Sequence, residues 1–255
     1  MGHNLIVSGP LFAVPLPAHH DPAVAAPAIR VRRILDERAV CVHVQPVVDL
    51  ASGQPVTYEA LARLPGLPDG PAALFSDAAA AGLGVELEEL AARAALAAAP
   101  KLPPGRPLGI NLSPQALLRP AVIALLLDHT HLTLAVEVTE HAPVDDYDAL
   151  VDAIADVRRA GVLLVVDDAG SGYASLQHVL RLAPDVVKLD IALVSDVHAD
   201  PAKRAMVTAM VSFATATGTL LVAEGVERTA EAATLRSLGV GYAQGHLFGC
   251  PTPVS

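Results

Sequence analysis

Polar side chains follow most of the apolar runs in this sequence, and their types point to cation and phosphate chemistry. Seven runs end in a carboxylate, an amide or an amine, contributed by Glu59, Asn111, Glu137, Asp167 with Asp168, Lys188 with Asp190, Glu224 and Gln244. A single acidic residue after a strand is ordinarily a helix cap or a solvated loop residue. Clustered carboxylates, however, repel one another unless they are protonated or neutralised, so the repeated pattern implies bound cations.

The donor atoms in this set indicate which cations would bind. Asp, Glu and an Asn amide offer only oxygen, which favours Mg²⁺ or Mn²⁺ over zinc. Two such ions about 3.5–4 Å apart can clamp the attacking and leaving oxygens of a phosphoryl displacement. Lys188, placed among the carboxylates, could stabilise a water-derived nucleophile or the phosphate charge. The leading prediction is therefore metal-dependent hydrolysis of a phosphoester, with two Mg²⁺ or Mn²⁺ ions per site.

A glycine-rich segment at 167–173, DDAGSGY, follows one strand candidate and precedes a helix candidate. An ordinary turn between a strand and a helix explains such a segment as well as a phosphate-binding or gating loop does. Its position between two carboxylates and a helix N-terminus favours the functional interpretation.

The elements that must position these residues alternate regularly along the chain. Strands are predicted at 40–48, 56–61, 108–112, 132–138, 162–166, 186–189, 220–223 and 241–243. Helices are predicted at 71–82, 86–99, 114–129, 144–160, 173–182, 201–218 and 229–238. The strands are nearly continuous apolar runs, typical of strands covered on both faces. The pattern predicts an α/β fold, a (β/α) barrel, with a doubly wound open sheet as the alternative. In a barrel, the carboxyl ends of the strands meet on one face, where active sites are built.

Composition excludes several other classes of protein. The chain has 255 residues, of which 53% are hydrophobic, and a formal net charge of -10. This composition excludes a disordered chain, and the negative charge argues against binding of polymeric nucleic acid. The two cysteines, Cys41 and Cys250, form no disulfide framework, and no secretory signal or membrane insertion is indicated, so we expect a cytoplasmic protein. Residues 1–28, rich in Pro and Ala, are predicted to form a flexible arm before a domain at 29–255.

Eight short motifs occur in order along the chain. They are QPVVDL at 45–50, EALAR at 59–63, NLS at 111–113, EVTE at 137–140, DDAGSGY at 167–173, KLD at 188–190, EGVE at 224–227 and QG at 244–245. Together they resemble the motifs of one protein family, the EAL-domain cyclic di-GMP (c-di-GMP) phosphodiesterases. Each motif alone is weak, but the set in this order is specific.

The resemblance implies a modified TIM barrel with an antiparallel first strand, and hydrolysis of c-di-GMP to linear pGpG. The expected ligands of the first cation are Glu59, Asn111, Glu137 and Asp167, and those of the second are Asp167, Asp168 and Asp190. The expected catalytic residues are Lys188 for the nucleophilic water, Glu224 as general base or water-positioning carboxylate, and Gln244 for orientation. The resemblance assigns substrate binding to Gln45, Leu61 and Arg63, and loop anchoring or a structural role to Glu140 and Glu227.

Two departures from the family pattern concern residues beside these motifs. Ala169 replaces the usual Phe after the Asp pair, and Leu64 replaces the usual Trp after the motif arginine, where it could alter the wall beside guanine. Neither removes a catalytic group.

The main alternative function is a catalytically silent c-di-GMP receptor that acts through a protein partner. A phosphohydrolase of another substrate is disfavoured by the motif around Arg63. The resemblance also implies a homodimer.

Overall fold

The computed structural model describes residues 22–64, 71–138, 144, 146–169 and 173–254. Its strands are β1 (Cys41–Asp49), β2 (Pro55–Arg63), β3 (Leu108–Leu112), β4 (Leu134–Val138), β5 (Leu163–Ala169), β6 (Val186–Leu189), β7 (Leu220–Ala223), β8 (Tyr242–Gln244) and β9 (Thr252–Pro253). Its helices are α1 (Pro22–Glu37), α2 (Ala72–Ala80), α3 (Gly84–Ala98), α4 (Pro114–Leu117), α5 (Pro120–Leu127), α6 (Tyr147–Arg159), α7 (Tyr173–Leu182), α8 (Ile191–Val194), α9 (Pro201–Thr217) and α10 (Thr229–Leu238).

Strands β1 to β8 close into a barrel. Strands β2 to β8 pair in sequence order and are parallel, and β1 fills the gap between β8 and β2. Strand β1 is antiparallel to both of these neighbours. The short strand β9 adds to β1 at His43 and Val44. The predicted barrel with an antiparallel first strand is confirmed, and the open-sheet alternative is wrong.

The main core lies between the barrel and the surrounding helices. Apolar strand residues such as Ile110, Val136, Val166 and Val187 are buried there against helix residues. Because both faces of the parallel strands are covered, their sequences read as nearly continuous apolar runs. The predicted helix starts at Ser113 and Asp200 are confirmed, since each side chain accepts a hydrogen bond from a backbone N–H of the following helix.

Helix α1 corrects the prediction for residues 1–28. Its residues 22–28 were expected to lie in an arm without helix, but the helix runs from Pro22 to Glu37. Val31 and Ile34 are buried in a second cluster that also contains Leu64, Leu74 and Leu87 of α3. This tertiary packing outweighs the poor helix propensity of a segment with Pro27 in its interior.

Proline explains a second difference. The helix predicted at 114–129 is divided into α4 and α5, because Pro120 begins a new helix and the residue before it, Arg119, is extended. Helix α8 was not predicted; Asp190 begins it as the N-cap. The helix predicted at 201–218 and the strand predicted at 220–223 are confirmed as α9 and β7. In the ranges that the structure covers, no helix has the length and apolar character needed to cross a membrane.

Candidate active site

Lys188 lies inside the barrel, in contact with four carboxylates from four other parts of the chain. Its Nζ atom is 2.6 Å from Glu224 Oε1 and 2.7 Å from Glu137 Oε2. The same atom is 3.2 Å from Glu59 Oε2 and 3.3 Å from Asp167 Oδ1. Strand β6 positions the lysine, and its side chain is only 3% exposed. The residues predicted from separate strand ends therefore meet around one buried cation.

Burial changes the acidity of these groups. It raises the pKa of Glu137 to about 8, against the attraction of Lys188, and nearby Glu59 and Asp167 raise it further. Burial also raises the pKa of Glu224 well above its ordinary value. Burial alone would lower the pKa of Lys188, but the carboxylates around it raise that pKa well above its ordinary value. The site thus holds a charged lysine beside two carboxyl groups, Glu137 and Glu224, whose pKa values are raised.

Glu59 connects the lysine to a set of amide side chains. Asn111 Nδ2 donates a hydrogen bond of 2.8 Å to Glu59 Oε1. Gln244 Nε2 donates to Glu59 Oε2 at 2.6 Å and to Gln45 Oε1 at 3.0 Å. Gln45 in turn donates to the carbonyl of Gly249 at 2.9 Å. Glu59 lies in the middle of β2 rather than at its end, because the pairing of β1 with β2 continues as far as Arg63.

The acidic residues at the ends of β5 and β7 form a group that fits a metal ion. Asp167, Asp168 and Glu224 each place a carboxylate oxygen within 4.8 Å of the others. Asp168 has a positive φ of 54°, and its backbone N–H donates to Asp167 Oδ1. The four carboxylates at Lys188 exceed its single positive charge by three when all are ionised. Oxygen donors with excess negative charge suit hard divalent cations.

A cavity of about 270 Å³ opens over this cluster. Of the predicted site residues, it is lined by Gln45, Glu59, Asp168, Asp190, Glu224, Glu227 and Gln244. Ile191 and His246 also line it and were not predicted. Glu227, for which the resemblance implies loop anchoring or a structural role, has a side chain that is 61% exposed at the cavity, and its Oε1 atom lies 3.8 Å from His246 Nδ1.

Leu61 and Arg63 line a neighbouring cavity of about 390 Å³ instead. Asn111 also lines this cavity and, through its bond to Glu59, connects it with the carboxylate cluster. Glu88 of α3 is a further polar residue in its wall that was not predicted. Leu64, expected beside the guanine, is buried with α1 and α2 and does not line either cavity.

Some predicted residues cannot be compared with the structure. Glu140 and residues 170–172 of the glycine-rich segment lie outside the described residues. Ala169, the replacement for Phe, is fully buried at the end of β5.

Comparison with known proteins identifies the family. The model of the EAL domain family matches residues 29–251, and the chain belongs to this family. A probable cyclic di-GMP phosphodiesterase, PdeG of Escherichia coli, is 30% identical over 240 residues, which are 89% of this chain and 47% of PdeG. An uncharacterised protein of Sinorhizobium fredii, y4lL, is 32% identical over 236 residues, 89% of this chain and 28% of its own length. The chain thus spans less than half the length of these relatives.

Solved structures agree with this assignment. The calcium and c-di-GMP complex of BlrP1 from Klebsiella pneumoniae superposes with a TM-score of 0.77 at 32% identity, covering 85% of this chain and 57% of that one. The c-di-GMP complex of the PaMucR phosphodiesterase superposes with a TM-score of 0.77 at 29% identity, covering 89% of this chain and 98% of that one.

Proposed function

We propose that this chain is a metal-dependent phosphodiesterase that hydrolyses c-di-GMP to pGpG and so ends a bacterial second-messenger signal. The observation that carries the proposal is the contact of one buried lysine with four carboxylates, within 3.3 Å. One carboxylate is enough to neutralise a buried lysine. Additional buried carboxylates lower the stability of the fold, so their presence indicates a function such as cation binding. Family membership and relatives named for this activity support the choice of substrate.

The donor groups fit two divalent cations, Mg²⁺ or Mn²⁺. We assign the first to Glu59, Asn111, Glu137 and Asp167, and the second to Asp167, Asp168 and Asp190. When bound, such ions supply positive charge to the phosphate oxygens and lower the pKa of water. Asp190 also accepts a hydrogen bond from the Ala192 N–H, which fixes its carboxylate at the start of α8.

The protein side chains position the attacking water, accept its proton and orient the phosphate. Lys188 Nζ holds the attacking water, and Glu224, whose pKa is raised by burial, accepts the proton of that water. The water oxygen bonds to phosphorus while the bond from phosphorus to the ribose 3′ oxygen breaks. The released 3′ oxygen takes a proton from solvent water, and Glu224 returns its proton to solvent after the step. Gln244 is fixed by Gln45 and Glu59 so that its amide orients the water or the phosphate.

The remaining groups bind the dinucleotide. Gln45 lines the cavity over the cluster, while Leu61 and Arg63 line the adjoining one. We assign Arg63 to a phosphate, because a guanidinium makes strong charge-assisted hydrogen bonds to phosphate oxygens. Glu140 is assigned to anchoring of the glycine-rich loop. We further propose a homodimer, as the family resemblance implies, and a cytoplasmic location, in accord with two unpaired cysteines.

The test is chromatography of c-di-GMP incubated with the purified protein and Mg²⁺, Mn²⁺ or a chelator. We expect pGpG with either metal and none with the chelator. Glu59→Ala and Lys188→Ala should lose turnover by at least about 10²-fold. Lys101→Ala, which changes an exposed lysine, is the matched control and should retain it. Tight binding of c-di-GMP without pGpG across the metal series would instead identify a silent receptor.

A further inference from the structure

Glu88 is an acidic residue on the face of α3 that packs against the barrel, outside the motifs of the family. Its Oε2 atom accepts a hydrogen bond of 2.7 Å from the backbone N–H of Ser113. The Ser113 side chain also lowers the pKa of the Glu88 carboxyl group, against the effect of burial. One and two turns later on the same helix, Ala92 and Ala95 are buried in the core. A carboxylate at such a place must be held by specific partners to offset its desolvation.

Ser113 connects this carboxylate to the active site. It directly follows β3, and Asn111, two residues earlier, donates to Glu59 at 2.8 Å. The Ser113 Oγ atom also accepts from the Ala116 N–H and so caps α4. The carboxylate of Glu88 therefore fixes the point at which β3 ends and α4 begins.

We propose that Glu88 is a positioning residue that sets the carboxamide of Asn111 for cation binding. This inference rests on the proposed function, in which Asn111 is a cation ligand. The Asn111 Nδ2 atom is committed to Glu59, so its carboxamide oxygen is the atom that would contact the ion. A shift of the end of β3 would move that oxygen while leaving the carboxylates of the other strands in place. Burial raises the pKa of Glu88, while Ser113 favours the ionised form and so lowers that pKa.

The neighbouring residue Glu89 provides a matched control. It is also on α3, but its carboxylate accepts hydrogen bonds from Arg93, four residues later on the same helix. Glu88→Gln provides a conservative variant, because its amide oxygen can still accept from the Ser113 N–H. Glu88→Ala removes the acceptor.

The experiment is calorimetric titration of Mn²⁺ into the metal-free protein, with thermal unfolding to check that each variant folds. Outer groups that orient metal ligands typically contribute about 10- to 100-fold in affinity, and we expect a loss of that size in Glu88→Ala. Glu88→Gln should recover most of the affinity, and Glu89→Ala should bind as the wild type does. Equal Mn²⁺ affinity in Glu88→Ala and Glu89→Ala would overturn the inference.

A double-mutant cycle with Asn111→Ala tests whether the effect passes through Asn111. If it does, Glu88→Ala should weaken Mn²⁺ binding little further once Asn111 is replaced. A full additional loss in that background would show that Glu88 acts elsewhere, and the inference would be wrong. Turnover of c-di-GMP by the wild type is measured separately. If Glu88 and Asn111 are coupled in Mn²⁺ binding but the wild type does not turn over c-di-GMP, only the proposed function is contradicted. If the wild type turns over c-di-GMP but the two residues are not coupled, only the role of Glu88 is contradicted.

Discussion

Gly109 offers a sharp test of how tightly the carboxylate cluster is packed, because the Glu137 side chain occupies the space that a larger residue would need. A Cβ atom added at Gly109 would lie 3.0 Å from Glu137 Cδ and closer still to its Oε1 atom. Carbon atoms pack best at about 3.5–4.0 Å, so the carboxyl group must retreat by at least about 0.5 Å in Gly109→Ala. That group bonds to Lys188 at 2.7 Å, so the movement disturbs the centre of the cluster.

The expected effects of Gly109→Ala follow from this displacement. Overpacking of a filled interior costs about 1–3 kcal/mol, which lowers the melting temperature of a protein of this size by about 2–12 °C. A catalytic group misplaced by a fraction of an ångström to about 1 Å can lose up to about 10²-fold in turnover. Differential scanning calorimetry of the metal-free protein and the pGpG assay measure the two effects.

Two further variants separate the collision from a general effect of the added methyl group. Gly241 precedes β8, has no positive φ, and would accept a Cβ with no heavy atom within 4 Å, so Gly241→Ala should be nearly neutral. Replacing Glu137 by Ala removes the obstacle, so adding Gly109→Ala to that variant should cost little further stability. Wild-type melting and turnover in Gly109→Ala, or an undiminished cost in the Glu137→Ala background, would refute the reasoning.

Three other perturbations have definite expected outcomes. The folded pKa of Glu137, about 8, lies above its ordinary value of 4.5, so the native state holds an extra proton between these values. The stability contributed by this proton is therefore full below pH 4.5 and is lost as the pH rises through about 8. Urea unfolding in the presence of chelator should show that the wild type loses stability relative to Glu137→Gln over that pH range. Glu231→Ala deprives the Asp196, Glu227 and Arg228 N–H groups of their acceptor and should cost about 1–3 kcal/mol in urea unfolding; an unchanged midpoint would count against it. Gln244→Glu places a second carboxylate where the amide now donates to Glu59 at 2.6 Å. The free energy of unfolding of the metal-free protein at pH 8 should therefore fall, and an increase in that free energy would contradict the assigned contact.

Much of the barrel could be predicted because local pattern and tertiary structure agree along most of the chain. Strands covered on both faces read as apolar runs, and residues such as Ser113 and Asp200 begin helices by local hydrogen bonds. Helix α1 could not be predicted in this way. Its segment contains Pro27, and its stability depends on burial of Val31 and Ile34 against distant residues. Pro120 was a visible signal for the break between α4 and α5 that the apolar pattern obscured.

The sequence indicated which residues belong to the site better than it indicated the contacts among them. The residue types after successive strands indicated a shared acidic site, but the four contacts of Lys188 depend on barrel closure, which no local pattern specifies. Glu88 was missed because it belongs to no motif. The available signal was its position on α3, one turn before the buried Ala92. A carboxylate on the inward face of an amphipathic helix needs a partner.

The most direct test of the account is hydrolysis in water enriched in ¹⁸O, with Mn²⁺ present and the products analysed by mass spectrometry. If the carboxylate cluster and Lys188 direct water onto the phosphate, each pGpG formed in a single turnover should carry one ¹⁸O in its 5′ phosphate. Glu59→Ala should form labelled pGpG far more slowly than the wild type does. Failure to form pGpG, or pGpG without the label, would contradict the central claim that this cluster activates water to cleave c-di-GMP.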